Sequence, residues 1–541
     1  QFFQITGYNS TLHEYLEKNF MENWPRLKLD RFAVTPLFSS GSFSRDAIFA
    51  IPLMDRFFGD DEKWTGVGRQ RGYRDEIIEA SSNLKYITHQ IAAAKAWGAL
   101  LTTFLKKREK PPRNSFLDLA IHFLQVNLDS GIEAPLFTEV YCERLQLVFY
   151  ILYSFQKRAE SLPEKTLFKL LELLTAVFKS DQLEFVANIG QSTKRNFYRP
   201  ILRSILLALG FVRTGAQFIE MESDQLLELF ELSFSKGVYL IMSEILSDIS
   251  TSTSNGRQVA IFNMEERVQD LFLLLSLFAK FKALNPPDRF NLIMASSLNE
   301  VGTVKVILNL YSTSHLFKMN GETVFAPLTL TFISELCTID HIATKFISNG
   351  LFTVLLESPL SVAIQEGKII PEEQASLHNI WTNGLLSIIL LLLSEFGGKV
   401  MPECCLFVSY FSQQIKNATC RWSDSKLAVS TALIRETSQL ILLQKMMQAL
   451  NYQQFLTNPS GRSLQNGNHK QVELIIGLDT EQERKLLKNV LNRLLTHPKY
   501  LNSRVVPTTI EEQRQLEADS TRIEFVKSIC KHIKDLQESL T

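Results

Sequence analysis

From about Asp75 to the C-terminus, apolar residues return every three or four positions, broken only by short polar or Pro/Gly interruptions and never by sustained apolar/polar alternation. A half-buried strand needs a period of two, so this spacing predicts an all-α chain. Asp75 to Lys107 reads as one long helix. Its Ala92–Ala96 stretch has high helix propensity, and Lys106, Lys107 and Arg108 close it before Pro111 and Pro112. Further helices are expected at about 115–129, 135–158, 195–213, 223–235, 237–250, 265–284, 299–311, 327–338, 371–396, 402–416, 424–450, 479–495 and 508–540. Ser161 to Glu164 carries a cap that restarts the pattern after the helix ending near Arg158.

A chain of 541 residues exceeds what one hydrophobic core serves. Helices joined by a few residues pack as antiparallel neighbours, and pairs recurring about every 40 residues fit a HEAT- or armadillo-like stack. The expected architecture is an α-solenoid superhelix of antiparallel helix pairs, although no repeat is visible as sequence identity. A compact bundle of this length would need several separate cores. Residues 1–74 form an irregular segment with one short helix near Thr11–Asn23, expected to be the end of a preceding central region that lies across its neighbours. Residues 75–541 are expected to be one continuous solenoid. Ser250–Gly256 reads as a flexible loop, and residues 457–470 as a polar, disordered insertion.

Fifty-seven Lys and Arg balance 57 Asp and Glu, removing the basic excess that counterion-driven nucleic-acid binding uses. No direct nucleic-acid partner is expected. Six cysteines without a C-x-x-C pair point to a reducing compartment. Residue 1 is Gln, which reads as the start of a fragment. The most apolar run, Leu385 to Leu393, is about half the roughly 20 residues a bilayer crossing needs. It reads as a buried core helix, and no transmembrane segment is expected.

No catalytic constellation is legible. G-x-S-x-G, H-E-x-x-H and the P-loop lysine are all absent, and each chemistry needs its residues at fixed spacing. Gly66 to Gly72 carries glycines one position too far apart for a dinucleotide loop and reads as a structural turn, with Arg69 and Arg71 solvated. Cys404 and Cys405 sit in an apolar helical stretch and read as buried thiols; His341 and His497 read as caps or packed surface residues. The sequons at Asn9 and Asn417 read as chance matches. No cofactor, metal or catalytic residue is assigned. The surplus of 38 phenylalanines is mostly core, but inter-helix grooves are natural docking sites for a partner's amphipathic helix. The candidate groove in the C-terminal part comprises Leu494, Tyr500, Ile523 and Phe525, rimmed by Lys499 and Arg504.

Five strings carry a resemblance: Ala94–Gly98 (AKAWG), Asn196–Pro200 (NFYRP), Ala295–Gly302 (ASSLNEVG), Glu357–Ile364 (ESPLSVAI) and Leu495–Asn502 (LTHPKYLN). Over essentially the whole chain the sequence resembles the C-terminal part of the large inner-ring scaffold nucleoporins of budding yeasts, α-solenoid proteins with karyopherin-like tails. The resemblance implies a non-enzymatic scaffold of the nuclear pore complex in the nuclear envelope, supporting nucleocytoplasmic transport. It also implies docking of short helical motifs of an inner-ring adaptor nucleoporin and weak contacts with Phe-Gly repeats. The chain is not itself a repeat protein, since Phe58-Gly59 and Phe396-Gly397 lie in apolar, structured contexts. A soluble transport receptor is the competing expectation, which the even charge balance disfavours because such receptors carry an acidic inner surface. A HEAT-type regulatory subunit of an enzyme shares the same statistics and is set aside by the resemblance alone.

Overall fold

A computed structural model describes residues 38–39, 42–43 and 51–75, scattered positions between 78 and 107, and residues 114–540 apart from 129–133, 160, 180–191, 213–219, 255–263, 320, 425–426, 458–473, 475–477 and 479. The expected helix at Thr11–Asn23 and the expected insertion at residues 457–470, save Thr457 itself, lie outside the described residues, as does most of the expected Asp75–Lys107 helix. The chain is all-α. Its described strands are two hairpins of two-residue strands, β1 (Phe38–Ser39) with β2 (Ser42–Phe43) and β3 (Lys318–Met319) with β4 (Glu322–Thr323), both antiparallel. Contacts divide it into two compact units: residues 1–241 with 273–286, and residues 242–272 with 287–541.

In the first unit α1 (Ile51–Phe58) and α2 (Glu62–Thr65) flank a tight turn. Trp64 is fully buried against Phe58, and its indole Nε1 donates to Asp55 Oδ1 at 3.0 Å. Gly66 has φ +84°, and a Cβ there would meet the Gln70 carbonyl at 2.4 Å; a Cβ on Gly72 would meet the Trp64 carbonyl at 2.2 Å. The glycines at 66 and 72 therefore close a structural turn, as the sequence predicts. Arg74 Nε donates to Asp55 Oδ1 at 2.8 Å, and this bond holds the Asp55 carboxyl below the ordinary aspartate value of 3.8. A carboxylate whose value is depressed in the fold contributes stability above its unfolded value and loses it as pH falls through the folded one. Amide protection of residues 51–75 is therefore expected to persist at the pH where an ordinary aspartate is half-protonated, and to be lost below it. Hydrogen exchange across an acid series, with Asp55→Asn as reference, reads this directly.

Next come α3 (Asn114–Leu128), α4 (Ala134–Lys157), α5 (Glu164–Lys179), α6 (Ser192–Leu209) and α7 (Glu220–Leu229). Each packs on its neighbours one or two positions along the chain: α3 on α4 and α5, α4 on α6, α5 on α6 and α7. That short-range pattern is what stacked antiparallel pairs produce. The expected break between residues 235 and 237 is absent. A π turn at Phe230–Ser235 carries α7 straight into α8 (Lys236–Ser254), so the helix also runs on through most of the expected Ser250–Gly256 loop. α9 is Met264–Ala283.

The second unit continues with α10 (Asp288–Glu300), α11 (Thr303–Thr313), α12 (Phe325–Leu336), α13 (Asp340–Ser348), α14 (Leu351–Glu357) and α15 (Pro359–Gln365). Four of these six, α10, α13, α14 and α15, have no counterpart among the helices expected from sequence. The last three are seven to nine residues long, too short for a periodic pattern to emerge from the sequence. Then α16 (Ala375–Asn379) runs through a second π turn, Ile380–Leu386, into α17 (Ser387–Phe396), and a 3₁₀ turn leads into α18 (Met401–Tyr410). The result is a helical run, Ala375–Tyr410, that is long and apolar enough to cross a membrane by length and composition. The run is longer than the sequence suggests because the 3₁₀ turn at Gly397–Val400 joins the helices expected over 371–396 and 402–416, and the core helix of a globular protein meets the same criteria of length and composition. Ile388, Ile389, Leu392 and Leu393 of this run are buried in the helix stack, as expected for a core helix.

After α19 (Ser412–Cys420), Val429 makes a parallel bridge with Val505. Ser430 caps α20 (Thr431–Ala449), its hydroxyl accepting from Leu433 N at 3.2 Å. The chain closes with α21 (Gln453–Thr457), α22 (Glu481–Thr496), α23 (Pro498–Asn502), α24 (Ile510–Glu517) and α25 (Asp519–Ser539). A capping box of Thr480 and Glu483 starts α22. The single helix expected over 508–540 is broken at Ala518, whose backbone is extended. Within this unit α11, α12, α17, α20 and α25 pack in succession, the order of an α-solenoid.

Candidate functional site

Two features stand out in the second unit. The first is a polar groove with a cavity of about 410 Å³, between β4, α16 with its π turn, the start of α20 and residues 508–512. A π turn widens the helix and frees carbonyls from the regular ladder. Here the Thr382 carbonyl accepts from Ser387 Oγ and Gln439 Nε2, each at 3.0 Å, while Asn379, Thr382 and Asn383 face the groove. Arg435 Nη1 donates to Asn383 Oδ1 at 2.9 Å, and Asn383 in turn bonds Asn379. Glu512 is occupied: Thr508 donates to it from its backbone N at 2.7 Å and its hydroxyl at 2.9 Å, and Thr431 donates from across the groove.

Beneath the groove, fully buried Glu436 accepts from His378 Nε2 (2.8 Å), Trp381 Nε1 (2.8 Å) and Gln414 Nε2 (3.0 Å). Three donors from two segments, α16 with its π turn and α19, converge on one carboxylate of α20, which fixes the register of the three helices. Trp381 is in turn stacked on Phe407 and Phe411.

The second feature is the tail, where the sequence placed its candidates. Leu494 and Phe525 are buried in a core with Leu487, Leu491, Ile529 and Ile533. This corrects their assignment to an open groove: residues 487, 491 and 494 of α22 share one stripe, as do 525, 529 and 533 of α25, and the two stripes face each other. Ile523, two residues from Phe525, points to the other side of α25 and is 61% exposed. Tyr500 is half-buried against the same core and brings together two guanidiniums, with Arg493 Cζ 4.6 Å and Arg504 Cζ 5.3 Å from its ring centroid. Lys499 is exposed beside it. Of the six candidates the structure thus joins Tyr500 and Arg504, adds Arg493, leaves Lys499 and Ile523 on the surface, and withdraws Leu494 and Phe525 into the core. Nothing in the local sequence marks Arg493, seven residues before Tyr500 and separated from it by the helix break at His497.

Cys404 and Cys405 are buried in α18, and burial pushes their thiols up to about 12 and about 11. They behave as packed side chains. Maleimide at pH 8 is expected to label exposed Cys420 and spare Cys404 and Cys405 until denaturant is added, which peptide mapping reads out. His341 Nε2 lies 2.8 Å from Asp288 Oδ1 on the surface, and His497 sits at the end of α22. No group of His, Cys, Asp and Glu among the described residues is arranged to hold a metal ion.

Fold and site together define an all-α stacked-helix protein of the solenoid class, with clusters of amide, hydroxyl and guanidinium groups at its surface. Residues 170–536 match the family model described as nuclear pore protein NUP188 C-terminal domain, and the chain belongs to that family. It is 53% identical over its full length to Nucleoporin NUP188 of Saccharomyces cerevisiae and 23% identical over 83% of its length to Nucleoporin nup184 of Schizosaccharomyces pombe, spanning 33% and 27% of those proteins. The chain thus covers about a third or less of the curated relatives it matches. A solved Nup188 fragment from Myceliophthora thermophila aligns with 70% of this chain at 15% identity and a TM-score of 0.47, covering all of that fragment.

Proposed function

We propose that this chain is a non-enzymatic scaffold segment of the nuclear pore complex inner ring, and that its tail docks short helical motifs of an adaptor nucleoporin. Membership of the NUP188 C-terminal family carries the reading, and the stacked helices supply the means. In a stack each helix contacts only near neighbours, so one surface accepts a partner without rearranging the rest. The docking surface comprises Lys499, Tyr500, Arg504 and Ile523, with Leu494 and Phe525 as the rigid core beneath. Phe-Gly repeats make weak, secondary contacts. Residues 1–74 belong with a preceding central region of the longer protein.

Calorimetric titration with the adaptor's helical segment, beside a Phe-Gly repeat peptide at the same salt, tests this. Saturable one-to-one binding of the helix at about micromolar strength, near −8 kcal/mol, with little heat from the repeats, is the expected outcome. Ile523→Asp is expected to weaken it about tenfold by placing a charge on the apolar anchor. Binding of repeats alone would favour a transport receptor, and silence from both would remove the tail as a docking site.

A further inference from the structure

The two guanidiniums on Tyr500 are like charges gathered on one ring, and among the described residues no carboxylate lies within ion-pair reach of Arg493, Arg504 or the adjacent Lys499. Each cation is held on ordered backbone. The Arg493 carbonyl accepts from His497 N at 3.1 Å at the end of α22, and the Arg504 carbonyl accepts from Val429 N at 2.7 Å in the bridge that joins residues 429 and 505. Tyr500 itself is wedged against the tail core. The ring attracts each guanidinium through its charge, at 4.6 and 5.3 Å from the centroid, and a guanidinium's forked N–H donors match a two-oxygen anion.

We infer that the Arg493–Tyr500–Arg504 cluster is a preformed clamp for an acidic peptide segment, binding its Asp or Glu carboxylates. The aromatic quadrupole offsets part of the repulsion between the two cations, and an incoming carboxylate completes the neutralisation. Nucleic acid fits poorly, because an extended polyanion needs a basic track, whereas here one aromatic gathers two arginines, with a lysine beside it, on a chain of net charge zero. The inference rests on the reading that this tail docks peptide segments, and it adds the chemistry of the segment: acidic residues flanking the apolar anchor.

The test is fluorescence anisotropy of the full 541-residue chain with a labelled glutamate-rich peptide and its glutamine twin. Arg493→Gln/Arg504→Gln is expected to weaken the glutamate peptide about tenfold or more and to leave the glutamine twin unchanged at its weaker level. A control of equal charge, Lys305→Gln/Lys416→Gln on exposed positions of α11 and α19, should bind like the parent. Unchanged amide exchange in α22 and α25 verifies that the arginine variant is folded, and Arg493→Lys/Arg504→Lys, which keeps the charge but not the fork, should lose part of the affinity. Equal binding of both peptides, or the same loss in both double variants, would overturn the clamp. If the adaptor helix fails to bind while the glutamate peptide binds through the arginines, the docking reading falls and the clamp stands; if the adaptor helix binds and the glutamate peptide ignores the arginine substitutions, the reverse holds.

Discussion

Glu436→Ala is expected to lower the stability of the second unit by about 3–5 kcal/mol, because removing one partner of a buried charged network strands the others. In the native unit the carboxylate is fully buried and accepts from the His378, Trp381 and Gln414 side chains. Alanine strands the buried His378 and Trp381 donors, leaves Gln414 Nε2 only its long 3.5 Å contact with the Ile369 carbonyl, and opens a cavity where the side chain stood. Glu436→Gln is the informative companion. Its amide oxygen can still accept from Trp381 and Gln414, and its NH₂ can donate to His378 Nε2 when the imidazole carries its proton on Nδ1. The glutamine variant should therefore lose clearly less than the alanine variant. Urea unfolding with amide exchange resolved on α16, α19 and α20 distinguishes the cases. Equal losses for the two variants would mean that the carboxylate's charge, which both lack, and not its bulk or its neutral hydrogen bonds, is what the unit needs.

The same network shows where sequence reasoning stops. Periodicity finds the long helices to within a few residues at α4, α9, α12 and α22, because an apolar stripe repeated over many turns is a strong local signal. It also marks Cys404 and Cys405 as buried thiols and Gly66–Gly72 as a turn. It does not find Glu436, since a glutamate at one position of a helix looks the same whether it faces solvent or three donors from residues 22 to 58 positions away. In the tail the residue types are legible in the sequence, but their sidedness is not. Leu494 and Phe525 differ from Ile523 only by rotation about a helix axis, and that rotation is set by which stripe meets which across the fold. The clamp needs one more fact, the helix break at His497 that sets where Tyr500 lies relative to Arg493. Family membership is legible from strings such as Asn196–Pro200, which carry no chemistry of their own.

Gly237→Ala in the first unit should cost about 2–4 kcal/mol, combining overpacking with the loss of a buried hydrogen bond. An added Cβ would sit 2.1 Å from the Tyr198 hydroxyl and 3.3 Å from Leu274 Cδ2. Tyr198 is fully buried, and its hydroxyl donates to the Ser233 carbonyl at 3.0 Å, inside the π turn where the regular ladder is interrupted. The glycine, the tyrosine and the π turn therefore form one device: the widened turn exposes a carbonyl, the tyrosine satisfies it, and the glycine leaves room for the ring. Tyr198→Phe removes only the hydroxyl, so it should cost about 1–2 kcal/mol and relieve the clash in the double variant. The cycle predicts that Gly237→Ala costs less in the Tyr198→Phe background than in the parent. Strict additivity would show that the methyl is accommodated without displacing the hydroxyl, and that the π turn holds its shape by its flanking Phe230 and Phe234 packing instead.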